Sequence, residues 1–177
     1  MLSKFFARKI ADTLKSEEYG IVFGPAYKGI PLAVGTCMAL HEGHKIEKEW
    51  CFNRKEAKEH GDAGIFVGAK IKDKAKIVLL DDVFTTGGAK EEAIVQLSSV
   101  ANVKIAGVFI MLDREEKNEK GENAIAAFEK KHNTKVHSLA SACGMFEALC
   151  GREIGGSVHV TDEIYAQFLK YKKEYGV

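Results

Sequence analysis

The chain has 177 residues, of which 46% are hydrophobic, which predicts one compact domain over residues 1–177 and excludes a natively disordered chain. Its 26 basic residues nearly balance its 25 acidic ones, so no global charge drives binding to nucleic acid or to a membrane surface, and any affinity for phosphate must be local. The four cysteines form no CxxC pair, so we expect neither a zinc site nor a redox motif. Charged residues interrupt the apolar N-terminal stretch, so we expect no signal peptide or membrane span and a soluble cytoplasmic protein.

Strands and helices are predicted to alternate along the chain. Apolar spacing predicts a first helix that buries Phe5 and Phe6, then a strand at 21–23, a helix over 29–42 and a strand at 50–52. Residues 53–64 are so rich in charge that we expect an exposed, mobile loop. Further strands are predicted at 77–80, 105–112 and 134–139, with helices from 89, over 122–132 and after Thr161. This order predicts an α/β fold with a mostly parallel central sheet and helices on both faces.

Polar residues gather where the apolar strand 77–80 ends. Asp81 and Asp82 come directly after it, and Thr and Gly residues lead from them into a helix. In open parallel sheets ligands bind beyond the carboxyl ends of strands, so we expect both aspartates to be exposed there. Backbone N–H groups at a helix N-terminus, with glycines that allow close approach, suit a phosphate monoester. The two carboxylates can accept hydrogen bonds from sugar hydroxyls.

The surrounding string is more specific than its parts. Gly87-Gly88 alone would be an ordinary turn. The chain has neither the GxxxxGK[ST] string of a P-loop nor the GxGxxG of a dinucleotide fold. Residues 78–89, VLLDDVFTTGGA, closely resemble the signature of type I phosphoribosyltransferases, and residues 23–31, FGPAYKGIP, and 53–61, NRKEAKEHG, resemble stretches of orotate phosphoribosyltransferases. The resemblance continues through residues 112–114 to the closing residues 174–177.

The resemblance implies a single-domain type I phosphoribosyltransferase fold and an activity. Ribose 5-phosphate would pass from phosphoribosyl pyrophosphate (PRPP) to orotate, giving orotidine 5′-monophosphate and pyrophosphate in UMP biosynthesis. Mg²⁺ would be held mainly through PRPP itself. Two alternatives stay open: a phosphoribosyltransferase for another base, and a PRPP-binding regulator or inactive paralogue.

The same resemblance implies roles for individual residues. PRPP would be bound by Tyr27, Lys28, Lys55, Asp81, Asp82, Val83, Phe84, Thr85, Thr86, Gly87, Gly88 and Ala89. Orotate would be bound by Thr85 and Arg114, and catalysis would involve Arg54, Lys58, His60, Asp81 and Asp82. In a homodimer, loop 53–64 would complete the site of the neighbouring subunit. A non-proline cis peptide is expected between Ala26 and Tyr27.

Without the family, several of these residues have ordinary interpretations. Lys28 suits a solvated loop lysine equally well, and a charged loop is more often only a solvated surface. Arg114 could form a strand-end ion pair with Asp113 or Glu115. The family also has a further N-terminal segment at the orotate pocket, which we expect this chain to lack. The chain should therefore retain PRPP binding better than it retains turnover of orotate.

Overall fold

The structure, a computed structural model, describes residues 1–55, 64–85 and 87–177. The strands are β1 (Ile21–Phe23), β2 (Glu49–Asn53), β3 (Phe66–Gly68), β4 (Lys76–Phe84), β5 (Lys104–Asp113), β6 (Val136–Ser141), β7 (Glu153–Ile154) and β8 (Ser157–Val158). The helices are α1 (Leu2–Thr13), α2 (Gly29–His44), α3 (Gly88–Val100), α4 (Ala124–His132), α5 (Ala142–Leu149) and α6 (Asp162–Tyr175).

A six-stranded sheet in the order β3-β2-β1-β4-β5-β6 forms the centre of the molecule. All its neighbouring strands are parallel except β2 and β3, and β7 and β8 form a separate hairpin. The α/β prediction with a mostly parallel sheet is therefore confirmed. Helices cover both faces, as alternating strands and helices require.

Strand β4 shows why the sheet must be covered on both sides. Val78 and Leu80 pack in one core cluster with residues of α1 and α2, whereas Ile77 and Leu79 pack in a second cluster with residues of α3 and α4. All four side chains are fully buried. A continuous apolar run is what a strand buried on both faces needs, because successive side chains point to opposite faces.

Two local predictions were wrong. Phe5 is 56% exposed, because the face of α1 that meets the core carries Phe6 and Ile10, both fully buried. Asn53 was expected to begin an exposed loop, yet it ends β2 and is only 8% exposed. Its side chain has interior hydrogen-bond partners that the local sequence does not reveal.

The C-terminal third is less tightly packed than the sheet. Helix α5 was not predicted; Ser141 caps it, since its hydroxyl accepts a hydrogen bond from the Gly144 N–H at 3.2 Å. Thr161 caps helix α6 as predicted, yet α6, which is described in full, contains no buried residue.

Across the described ranges, no helix combines the length and the apolar character needed to cross a membrane.

Candidate active site

The candidate site lies where two neighbouring parallel strands end. Strands β1 and β4 pair with Phe23 opposite Leu79, so the segments that follow them leave the sheet at the same edge. After β1 the chain turns into α2, which brings the Lys28 ammonium within 2.6 Å of a carboxylate oxygen of Asp82. Residues 54 positions apart in sequence thus meet at the predicted edge.

The Lys28–Asp82 pair keeps both groups charged at neutral pH. The hydrogen bond to Asp82 raises the pKa of Lys28 above its ordinary value. Burial alone would raise the pKa of Asp82, but the bonds from Lys28 and from the Val83 N–H outweigh burial and lower it. The site therefore presents a lysine cation and a carboxylate side by side, as a sugar diphosphate requires.

The turn between β1 and α2 depends on close backbone packing. A Cβ on Gly24 would lie 2.0 Å from the carbonyl oxygen of Gly29, so only glycine fits. The Ala26–Tyr27 peptide bond is cis, which confirms that prediction. The Ala26 N–H donates to the Asn53 side-chain oxygen at 2.9 Å, and the Asn53 amide donates to Gln96 at 2.8 Å. Asn53 and Gln96 were not predicted as site residues.

Strand β4 ends at Phe84 and helix α3 begins at Gly88, so the expected phosphate-binding residues lie at the end of the strand and in the first turn of the helix. Gly87 has φ of 85° and is the N-cap of α3, so the first N–H groups of the helix face the connection between them. Thr85, Gly88 and Ala89 are exposed, whereas Thr86 lies outside the described residues. The Phe84 ring is 2% exposed and packs edge-on against Phe128 at 5.3 Å. Phe84 can therefore face a ligand only with its backbone.

Asp81 does not have the exposed position that was predicted. It is only 7% exposed, and one carboxylate oxygen lies 2.5 Å from the ammonium of Lys90. The other oxygen accepts the N–H of Asp82 at 2.9 Å. The difference arises because Lys90, in the first turn of α3, folds back over the strand end. In the sequence, a lysine at that position looks like a solvated helix residue.

The predicted catalytic loop is described only at its two ends. Lys58 and His60 lie outside the described residues. The Arg54 N–H donates to the carbonyl of Ile65 at 2.7 Å, so the two ends of the loop are held together beside the sheet edge. The Lys55 ammonium lies 5.8 Å from the ring centre of Tyr27, which is 70% exposed. Two residues assigned to PRPP are thus brought together.

A second set of polar groups adjoins the first at the end of β5. Strands β4 and β5 pair with Phe84 opposite Asp113, so Thr85 and Arg114 leave the sheet next to each other. The Arg114 guanidinium lies 2.5 Å from Glu116 and donates to the Tyr171 hydroxyl at 2.9 Å. Tyr171 in turn donates to Glu116, and this bond raises the pKa of Tyr171. The partner of Arg114 is thus Glu116 rather than Asp113 or Glu115.

An apolar groove of about 530 Å³ opens beside Arg114, between the end of β5 and helices α5 and α6. The Phe146 and Phe168 rings in its wall are stacked, with their centres 4.0 Å apart and an angle of 1° between the ring planes. A flat apolar wall beside a guanidinium suits a planar ring that carries a carboxylate.

Comparison with known proteins decides the family. The chain is 37% identical over 175 residues to the orotate phosphoribosyltransferase of Clostridium beijerinckii, covering 99% of this chain and 78% of that protein. The chain belongs to the orotate phosphoribosyltransferase family. The crystal structure of the Francisella tularensis orotate phosphoribosyltransferase superimposes with a TM-score of 0.78 at 31% identity, covering 99% of this chain and 79% of that one.

A more distant member of the family supports the fold alone. It is the Mycobacterium tuberculosis orotate phosphoribosyltransferase in complex with PRPP, with a TM-score of 0.61 at 18% identity, covering 81% of this chain and 73% of that one. No protein-family model matches the chain.

The residues at the β4 end fit a magnesium ion of the kind that the family resemblance implies. Both oxygens of Asp81 are engaged by Lys90 and the Asp82 N–H, and one oxygen of Asp82 by Lys28. The protein can thus offer few carboxylate oxygens here. An ion held mainly through substrate diphosphate and ribose oxygens needs no more, since Mg²⁺ commonly keeps few protein ligands.

Proposed function

We infer that the chain transfers ribose 5-phosphate from PRPP to orotate, giving orotidine 5′-monophosphate and pyrophosphate. The observation that carries this proposal is the adjacency of two complementary sites. The β4 end offers a lysine–carboxylate pair and a helix N-terminus, and the neighbouring β5 end offers a guanidinium beside an aromatic groove. A donor bound at the first site and a base at the second would meet between Thr85 and Arg114.

At the donor site, we assign the 5-phosphate of PRPP to residues 85–89 and its diphosphate to Tyr27 and Lys28. Support comes from the exposed N-terminus of α3, which can donate N–H groups to a phosphate. The Lys28 side chain is 76% exposed although its ammonium contacts Asp82, so it can also reach an incoming phosphate. Asp82 is assigned to the ribose hydroxyls.

At the base site, we assign the orotate carboxylate to Arg114 and the ring to the groove beside it. A planar guanidinium can hold a carboxylate through two parallel hydrogen bonds, which fixes the orientation of the base. Glu116 and Tyr171 hold Arg114 at the mouth of the groove. The orotate N1 would then be directed toward the anomeric carbon of the donor.

The chemical step breaks the bond between the anomeric carbon and the diphosphate, with positive charge on the ribose and negative charge on the leaving group. It forms the bond from that carbon to the orotate N1, which gives up its proton to the pyrophosphate or to solvent water. Lys28, and Lys55 beside Tyr27, are two cations that can stabilise the leaving group. Arg54, Lys58 and His60 are assigned to the same task from the closing loop, which would also exclude water. Mg²⁺ held through PRPP would supply further charge neutralisation.

Turnover assays separate this function from its alternatives. Loss of orotate absorbance should depend on both PRPP and Mg²⁺, and release of pyrophosphate should match it one to one. Turnover of uracil or a purine in place of orotate would reassign the base. Calorimetry that shows PRPP binding without turnover of any base would instead favour a regulator or an inactive paralogue.

We further propose a homodimer in which loop 53–64 of one subunit serves the site of its neighbour. Support comes from the ends of the loop, which leave the sheet edge beside Tyr27 and carry Arg54 and Lys55. Two variants, Lys58→Ala and Asp82→Ala, should each lose activity as homodimers. In a mixed dimer one site would receive both lesions and the other site neither.

Mixing the two variants therefore tests the sharing. Random exchange of equal populations makes about half of the dimers mixed, so roughly a quarter of the activity of the original enzyme should return. Confirmed mixed dimers without any recovered activity would assign the loop to its own subunit.

A further inference from the structure

Lys90 is a buried lysine to which the proposed reaction gives no role. It lies in the first turn of α3 and its side chain is only 5% exposed. Its ammonium lies 2.5 Å from a carboxylate oxygen of Asp81 and 2.5 Å from the carbonyl oxygen of Val83. One cation thus links the start of α3 to the end of β4, across the connection that is assigned to the phosphate.

Stability alone is a weak reason for such a pair. Removing both charges from water carries a desolvation cost that the attraction between them only roughly offsets, so apolar replacements of similar size are often as stable. The same helix carries a contrasting pair, Glu91 with Lys131 at 2.8 Å, in which the lysine is 60% exposed. A solvated pair of that kind contributes little to folding.

The contacts of Lys90 define the shape of the connection. Its bond to the Val83 carbonyl and its bond to Asp81 fix two points on the strand side, while its own backbone N–H donates to the Gly87 carbonyl at 3.0 Å. Between these points Phe84 and Gly87 are buried, whereas Thr85, Gly88 and Ala89 are exposed. Lys90 is thus a side chain that ties the first turn of α3 directly to the strand end beside Asp82.

We propose that Lys90 is a positioning residue for PRPP: it holds the first turn of α3 against the end of β4 and fixes the orientation of Asp81 there. This inference rests on the proposed function of the site. Asp81 then acts through its neighbours, because one of its oxygens accepts the Asp82 N–H and the other meets Lys90. Each of the two carboxylates has its own lysine, Lys90 or Lys28, which limits their repulsion of a polyanionic donor.

The first test compares Lys90→Met with Lys131→Met, the matched control that removes the exposed pair on the same helix. Both are measured for PRPP binding by calorimetry with Mg²⁺, for the KM of each substrate and for thermal unfolding. We expect Lys90→Met to raise the Kd for PRPP about tenfold or more, with the KM for orotate nearly unchanged. Lys131→Met should leave both at the values of the original chain.

A second variant keeps the test decisive if Lys90→Met unfolds because Asp81 is left buried without its partner. In Asp81→Asn/Lys90→Met the buried charge is gone, and the asparagine oxygen can still accept the Asp82 N–H. This chain should fold with nearly the original melting temperature and bind PRPP about tenfold more weakly than Asp81→Asn alone, because the bond to the Val83 carbonyl is missing.

The outcomes distinguish the inference from the function beneath it. If the original chain does not bind PRPP, the proposed function fails. If the original chain binds PRPP and the double variant binds it as well as Asp81→Asn does, Lys90 only neutralises Asp81 and the positioning role is refuted. A loss of affinity for orotate as large as that for PRPP would also refute it, since a general loosening of the fold would then explain both.

Discussion

The two halves of the proposed site are built differently. The donor side, residues 24–28 and 81–90, is made of short connections between buried strands and long helices. The base side, residues 114–116 with α5 and α6, joins one strand end to two helices near the C-terminus, and α6 contributes no buried residue among its described positions. On the donor side Asp81 is 7% and Lys90 4% exposed, whereas the Arg114 side chain is 41% exposed on the base side.

This difference indicates how each half recognises its ligand. A rigid donor side can present N–H groups and a charge pair in fixed positions, which suits phosphates that must be aligned for cleavage. The base side depends on an exposed guanidinium held by the half-buried Glu116 and the exposed Tyr171. Few buried contacts mean a low free energy of local opening, so the base side should be the more mobile half.

Replacing Asp82 with alanine should have the largest effect, because it removes the ribose contact and the partner of Lys28. The Kd for PRPP should rise by about ten- to a hundredfold, corresponding to about 1.5–3 kcal/mol. Calorimetry measures this directly. The control, Asp12→Ala, removes an exposed carboxylate 3.7 Å from Arg8 and should bind PRPP normally. Unchanged affinity in Asp82→Ala would remove Asp82 from the donor side.

Arg114→Ala should damage the base side and spare the donor side. We expect the KM for orotate to rise about tenfold, less than a buried guanidinium would give, because solvent screens this exposed side chain. The Kd for PRPP measured without orotate should stay the same. An increase in both constants would mean that the two sides are not separate. Arg114→Lys should recover little, since an ammonium cannot form two parallel bonds.

Tyr171→Phe should have a smaller effect of the same kind. The variant keeps the ring but loses the hydroxyl that links Arg114 to Glu116, a loss of about 1 kcal/mol, so the KM for orotate should rise roughly three- to fivefold. Tyr175→Phe is the matched control, because its ring packs on Tyr171 at 4.9 Å but its hydroxyl is not assigned to the site. Equal kinetics in the two variants would show that Tyr171 does not position Arg114.

Thiol labelling at about pH 8 should reveal the difference in packing without any change in sequence. Cys37 and Cys51 lie in the core beside the donor side, where Cys51 pairs with Phe23 of β1, and they are 7% and 0% exposed. Burial raises the pKa of each to about 12. Cys143 and Cys150, at the two ends of α5, are half-buried. A maleimide should modify these two first and the buried pair only in denaturant. Early labelling of Cys51 would show that the donor side opens as readily as the base side.

Parallel strand ends made much of the donor side predictable from the sequence. A run of four apolar residues followed by Asp81 and Asp82 and a Gly-rich turn placed a phosphate site at one sheet edge, and the structure brings Lys28 to the same point. The order of elements also determined the α/β fold. These inferences depended on local periodicity and on the rule that parallel strands end together, neither of which requires side-chain contacts.

Only the tertiary structure decided which of these residues are buried and with which partners. Asp81 looked like a second exposed carboxylate until Lys90 was found beneath it, and Asn53 looked like a loop residue until it was seen to contact Ala26 and Gln96. Helix α5 had only the Ser141 cap as a local signal, and the partnership of Arg114 with Tyr171, 57 positions away, had none. Contacts between side chains far apart in sequence depend on how the helices pack against the ends of the strands. The pattern of polar and apolar residues along the chain does not specify that packing.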